Sequence, residues 1–407
     1  MACQCFKTIW VLLLAALLVI FSGGCGAIPE SLATGTAEKD FPSPDEIEVE
    51  VEAPEVVIPE ISLIAVGDVM LARKLDRLMS QKGLDYPFLK TKEILSAADI
   101  TFANLESPLS DQGTKIDGKE IWFRGKPENT RALKEAGFDV ISLANNHALD
   151  YDSPALLQTI ELLEAAGIES VGGGKNIQEA RYPVVIEREG IKIAFLAYSE
   201  MADIVWSYKH PRKLKATEEI PGIAPLVPEQ IIEDIENVKE QVNYVFISLH
   251  WGVEYQDMPE KYQIDIAHQL IDAGADVILG HHPHCLQGVE LYREGLIAYS
   301  LGNFVFDQNW SDKTREGLLL NIDMDPSSLL AAELIPVFVN DGQPVVAEGE
   351  RADAILGRTK NISEKLGTNL EMLEGKGVII SRDQDKDGDQ VTVQDPDQSQ
   401  DLKGGKV

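Results

Sequence analysis

Five apolar, β-branched runs in this chain each end on side chains able to bind a metal ion, and that recurrence limits the fold more than any other feature. Ile61-Ser62-Leu63-Ile64-Ala65-Val66-Gly67 delivers Asp68; Ala98 to Ala103 delivers Asn104-Leu105-Glu106; Asp139 to Ala144 delivers Asn145-Asn146-His147. Asn243 to Leu249 delivers His250, and Ala275 to Leu279 delivers Gly280-His281-His282-Pro283-His284. Runs of this length and content read as strands, and the Gly and Pro around the last one mark the handover to a loop. Helical stretches fall between them: Pro127 to Ala136 with Gly137 as its stop, Ser153 to Gly167, Pro228 to Val242, and Tyr262 to Ala273. Alternating strands and helices predict an α/β sheet, whose ligands bind outside the carboxyl ends of the strands. All five segments are then expected to converge on one place.

The donors at those ends are oxygen and imidazole, with no thiolate. Such a set suits one or two divalent ions of the Mn, Fe, Zn or Mg class better than a structural zinc. Two ions bridged by a carboxylate, about 4 Å apart, serve phosphoryl displacement. Singly, each residue has an ordinary explanation: an Asp after a strand caps a turn, Asn145 and Asn146 are turn formers, and His250 beside Trp251 is a hydrogen-bonded core histidine. As an ordered set they point to a metal or phosphate centre. His210 and His268 lack that context, and Cys285 reads as a small buried side chain.

The ends of the chain read differently. Lys7 and the short apolar run Ile9 to Phe21 form a signal-peptide core, and Ser22-Gly23-Gly24-Cys25 resembles a lipobox with Cys25 as the lipidated residue. Residues 1–25 are therefore expected to be a lipoprotein-type signal peptide and 26–60 a disordered acidic tether, placing the protein outside the cytoplasm, lipid-anchored to a bacterial cell membrane. Residues 61–345 are expected to form the folded domain and 346–407 a polar acidic tail, mostly disordered. In that tail Asp383 to Asp389 matches the opening of a calcium loop, but Gln394 stands where a bidentate Glu is needed. Met201 to Pro225, with Trp206, Lys209 and Arg212, reads as a surface loop. The chain has 67 acidic residues against 36 basic ones and a net charge of −31, which excludes a general nucleic-acid partner. Three of its four cysteines, Cys3, Cys5 and Cys25, precede the domain, so no disulfide framework is available.

Gly67-Asp68, Asn104-Leu105-Glu106-Ser107-Pro108, Asn145-Asn146-His147 with Asp150, His250-Trp251-Gly252-Val253-Glu254-Tyr255, Gly280-His281-His282-Pro283-His284 and Ser300-Leu301-Gly302-Asn303-Phe304 resemble, in order, the motifs of the CapA family of capsule-synthesis proteins, implicated in poly-gamma-glutamate production. The resemblance spans roughly Ile61 to Val339. It implies an offshoot of the calcineurin-like metallophosphatases: a four-layer α/β fold, two mixed β-sheets packed face to face and flanked by helices. Carried over, Asp68 and His284 bind a first ion, Glu106 bridges, and Asn146, His250 and His282 bind a second. His147 is implied as general acid, with Asp150 orienting it. Asn104, Asn145, Glu254, His281 and Asn303, with Arg124, are expected to face the substrate. Two positions depart from the phosphatase pattern, Met70 standing where a histidine is usual and Glu106 where an aspartate is. The resemblance implies an anionic surface polymer as partner, poly-gamma-glutamate or similar, with membrane synthase subunits beside it. Because an acidic protein does not attract an acidic polymer at long range, contact is expected through metal or through residues such as Arg124 and Lys209. A metal-dependent hydrolase or transferase and a non-catalytic export factor binding polymer or synthase both fit this reading.

Overall fold

A computed structural model describes residues 58–207 and 209–381. The apolar run Ile9 to Phe21, Cys25, most of the acidic segment up to residue 60, and the stretch Asp383 to Asp389 lie outside the described residues. Among the described residues no helix is long and apolar enough to cross a membrane.

Two sheets face each other. The first, of ten strands among the described residues, runs Glu371–Leu373, Lys376–Ser381, Leu329–Asn340, Glu316–Met324, Ile61–Val69, Ile100–Leu105, Val140–Ser142, Glu169–Val171, with Asn303–Val305 beside Ile61–Val69 and Gln343–Val346 beside Leu329–Asn340. Its Ile61–Val69 to Glu169–Val171 half is parallel, as is Asn303–Val305 beside Ile61–Val69, and the other pairings are antiparallel. The second sheet, of six strands, runs Val289–Tyr292, Gly295–Ala298, Val277–His281, Tyr244–His250, Ile191–Ser199, Val184–Arg188. Its centre is parallel and its edges antiparallel. Both sheets are mixed, as expected.

The runs that read as strands are buried on both faces. Ile61, Leu63 and Ala65 turn toward the second sheet, whereas Ile64, Val66 and Val69 turn toward helices, so alternation along one strand feeds two separate cores. Between the sheets Phe102 stacks on Phe195 at 5.7 Å, and Phe195 meets Phe246 edge-on at 5.5 Å. On the outer face of the first sheet lie the helices Arg73–Lys82, Lys92–Ala97, Asn129–Ala136 and Asp152–Ala165, through Leu75, Leu95, Leu133 and Leu156. On the outer face of the second lie Pro228–Val238 and Lys261–Ala273, through Ile231, Ile235 and Leu270. Helix, sheet, sheet, helix is the four-layer arrangement that was expected.

Two expectations need correction. The folded part does not stop at 345. Gly349–Lys365 is a helix whose buried residues Ala352, Ile355, Leu356, Thr359, Ile362 and Ser363 recur at helical spacing. It touches Leu329–Asn340 of the first sheet and Val289–Tyr292 of the second, closing the side of the inter-sheet core. The chain then adds Glu371–Leu373 and Lys376–Ser381 to the first sheet. Met201 to Pro225 is also no simple surface loop. Leu214, Ala216 and Ala224 are buried, and Gly222–Ile223 pairs with Gly173–Gly174.

Because Ile355 is fully buried in the core between the sheets, Ile355→Ala is expected to cost about 2–5 kcal/mol, read as a lowered denaturant midpoint. A dispensable tail would leave the midpoint where it is.

Candidate metal centre

The centre lies where the carboxyl ends of both sheets meet, and a short crossing segment holds them there. Tyr299 to Gly302 passes from the second sheet to the first. On the way Leu301 N donates to Gly280 O at 3.2 Å, Asp68 N donates to Gly302 O at 3.0 Å, and Met70 N donates to Val305 O at 2.8 Å. Both contact points are glycines for steric reasons. A Cβ on Gly67 would stand 2.0 Å from Gly302 O, and one on Gly280 would stand 1.9 Å from Tyr299 O. Asp68 and the histidine loop are thereby brought side by side.

Asp68 accepts from Asn104 Nδ2 at 2.8 Å and from His282 N at 3.3 Å, and its oxygens lie 3.3 Å from His281 Nδ1 and 3.4 Å from His284 Nδ1. Burial alone would lift its carboxyl, but His281 and His284 outweigh that and hold it well below the usual range. Glu106 is different. It is fully buried, 3.6 Å from His284 Nε2 and 3.8 Å from His147 Nε2, and neither oxygen has a hydrogen-bond partner among the described residues. Burial pushes its carboxyl well above the usual range, with Asp68 and Glu254 adding to that push. A buried carboxylate without donors is costly unless a cation meets it.

The histidines carry the same signature. His250 Nε2 is 3.1 Å from Asn146 Oδ1, but His250 Nδ1 and His282 Nδ1 are buried without a hydrogen-bond partner among the described residues, and the two rings are 4.8 Å apart. Burial holds His282 down to about 3 and His250 well below its usual value, so both stay neutral, as ligands must be. Ligand atoms of Asp68, Glu106 and His284 all lie within 4.8 Å of one another. The donor set therefore fits divalent metal, and Asn146, His250 and His282 form a neighbouring group. His282 and His284 have φ of 97° and 53°, a backbone cost of about 1–3 kcal/mol each that sites retain when the side-chain direction matters.

His147 Nδ1 is 2.6 Å from Asp150 Oδ2, and Asp150 also accepts from Phe123 N at 2.6 Å and from Lys119 Nζ. With Asp150 as acceptor, the imidazole proton sits on Nδ1, leaving Nε2 unprotonated at 3.8 Å from Glu106. Burial holds the ring down to about 4, partly offset by Asp150 and reinforced by Lys119. Sequence reading missed Lys119, a lysine in a polar loop. Its side chain is 3% exposed, donates to Asn146 O at 2.7 Å and lies 4.5 Å over the Trp206 ring. Trp206, partly buried, thus braces the Lys119 loop.

A cleft of about 570 Å³ opens above, lined by His147, His284, Phe123, Glu254, the aromatic pair Tyr255 and Trp310, and the cations Arg73, Lys74 and Arg77. Those cations come from the Arg73–Lys82 helix, which sequence reading did not place; the Leu75 to Met79 spacing was its signal. Arg73 pairs with Asp307 and Lys74 with Asp341, leaving Arg77 without an ion pair among the described residues. Several residues expected to face substrate do not. Asn104 and Asn145 are fully buried and linked at 3.1 Å, Asn104 holding Asp68 and Asn145 accepting from His147 N. Asn303 Oδ1 lies 3.0 Å from His284 Nδ1 and orients that ring. His281 is buried against Asp68 and Phe102. Arg124 is exposed with its guanidinium 3.8 Å over Tyr151, outside the residues lining the cleft, and Lys209 is exposed outside it too. Cys285 turns to Gln256 O, away from the donors.

Residues 62–308 match the family model described as bacterial capsule synthesis protein PGA_cap. The chain is 33% identical to the capsule biosynthesis protein CapA of Bacillus anthracis over 70% of this chain and 69% of that one. It is 32% identical to the PGA biosynthesis protein CapA of Bacillus subtilis, over 70% and 73%. A probable polyglutamine synthesis accessory protein of Mycobacterium tuberculosis is 28% identical over 75% and 84%. Among solved structures, a hypothetical protein from Thermus thermophilus matches with TM-score 0.38 and 17% identity over 70% of this chain and 96% of that one. The sulfate thiohydrolase SoxB of the same genus matches at 0.36 and 12%, over 71% and 49%.

Burial pushes His284 down, but Glu106 and then Asp68 lift it to about 9 in the metal-free chain. It therefore carries a proton near neutral pH that an incoming ion must displace. Ion affinity is expected to rise with pH from neutral to about 9, with proton release seen as a buffer-dependent heat in titration calorimetry. A flat profile across that window contradicts His284 as a ligand.

Proposed function

The chain belongs to the PGA_cap family of bacterial capsule synthesis proteins, and on that premise we propose that it is a membrane-tethered, extracytoplasmic protein with a metal-dependent hydrolase or transferase centre acting on an anionic surface polymer such as poly-gamma-glutamate. The observation that carries the enzymatic part is Glu106, buried with both oxygens unpartnered, beside the His147–Asp150 pair at the floor of a cleft with a cationic rim. Asp68, Glu106 and His284 are one ligand set; Asn146, His250 and His282 are the other. When bound, a divalent ion would supply Lewis-acid stabilisation of developing negative charge.

The chain's own residues supply the rest. Asp150, Lys119 and Phe123 N fix the His147 ring, so that its free Nε2 takes a proton from the reacting group and later returns it. The resemblance implies an acid; a ring held neutral by burial begins as the acceptor. Arg77, with Arg73 and Lys74, holds carboxylates of the polymer, and the apolar faces of Tyr255 and Trp310 border its path. Names of relatives, PGA biosynthesis and polyglutamine synthesis accessory, support a partner within a polymer-synthesis system. The short apolar core Ile9 to Phe21 ahead of Cys25 supports the lipid anchor.

A second reading, a non-catalytic export factor binding polymer or synthase, is favoured by Met70. Its buried thioether accepts from Ala72 N at 3.2 Å and offers no ligand beside Asp68.

In the metal-loaded full-length chain, His147→Ala is expected to cut turnover of poly-gamma-glutamate by about 10²–10⁴-fold with polymer affinity kept. Arg77→Glu is expected to weaken polymer binding several-fold and flatten its salt dependence. Wild-type chain that binds polymer and turns nothing over with any divalent ion establishes the second reading instead. Cys25→Ser is expected to abolish the lipid adduct in the intact mass and release the chain from membranes; a membrane-bound variant of unaltered mass rejects the anchor.

A further inference from the structure

Glu254 stands exposed at the lip of the cleft, on the loop that follows the Tyr244–His250 strand. Its carboxylate nevertheless joins one ring nitrogen each of His282 and His284 in a group whose ligand atoms all lie within 4.8 Å of one another. Resting on the metal centre proposed above, we propose that Glu254 is itself a metal ligand, adding a carboxylate on the cleft side between the His282 and His284 ligand sets.

Ligand atoms about 2.0–2.2 Å from one ion lie roughly 3–4 Å apart, so a group already this close needs only small side-chain movement to close on a cation. His282 is 5% exposed and its Nδ1 has no hydrogen-bond partner among the described residues, which is the state of a donor awaiting an ion. Glu254 is also held in place relative to that ring. Tyr255 N donates to Pro283 O at 2.8 Å, tying the Glu254 loop to the backbone between His282 and His284, and Tyr255 has φ of 65°. Neither nearby sulfur takes the place: Met70 spends its sulfur on Ala72 N, and Cys285 turns to Gln256.

The test titrates metal-free full-length chain with Co²⁺, following visible absorbance and bound cobalt by elemental analysis, for wild type, Glu254→Gln, Glu254→Asp and His284→Ala. Glu254→Gln is expected to bind cobalt about 10–100-fold more weakly, with a changed visible spectrum, and Glu254→Asp to recover part of both. A Glu254→Gln chain matching wild type in stoichiometry, affinity and spectrum overturns the assignment. If His284→Ala loses cobalt in the same series, the centre stands without Glu254. Wild-type chain that takes up no cobalt overturns the centre and this assignment together.

Discussion

Everything at the centre depends on how closely the Tyr299 to Gly302 segment passes the ends of two strands. At Gly67 and Gly280 the backbone of that segment fills the space of a Cβ, so any side chain there would push the sheets apart. Because the two sheets carry different donors, separation would dissolve the site. Asp68, Glu106 and Asn146 come from the first sheet's strand ends, whereas His250, His282 and His284 come from the second's. Close backbone contact converts two half-sites into one.

That convergence creates an electrostatic burden which the protein alone does not settle. Among the described residues Glu106 has no donor, His250, His281 and His282 have buried ring nitrogens without a hydrogen-bond partner, and the His282 and His284 backbones sit at positive φ. A fold held only for stability would replace such groups with apolar ones, which bury without penalty. Their presence beside a cleft that His147 and His284 line is the physical case for an ion there. Lys119 shows the same economy of pairing: its buried ammonium is matched by Asp150, Asn146 O and the Trp206 face, and in return it fixes His147.

Much of the fold was legible because strands buried on both faces must be continuously apolar, and this chain has few other such runs. Elements whose signal was only periodic were harder. Gly349–Lys365 repeats its buried residues at helical spacing, but charged residues between them made the stretch resemble a solvated tail. The Arg73–Lys82 helix shows only Leu75 and Met79 inside, too brief a pattern to stand out, yet it brings Arg77 to the cleft. For Asn104, Asn145 and Asn303, residue type suggested contact with substrate. In the fold their amides are consumed by Asp68, His147 and His284, so they orient donors instead.

The sequence by itself determined the alternation of strands and helices, the oxygen-and-imidazole chemistry at the strand ends, and the order of motifs that marks the family, since these are local properties of composition and spacing. Only the tertiary structure decided which donors share a place, which asparagines are turned inward, that Lys119 is buried beside His147, and that Arg77 rather than Arg124 lines the cleft. Those outcomes depend on contacts between residues tens to hundreds of positions apart. Local pattern carries no information about them, because burial and pairing are set by packing of one sheet on the other.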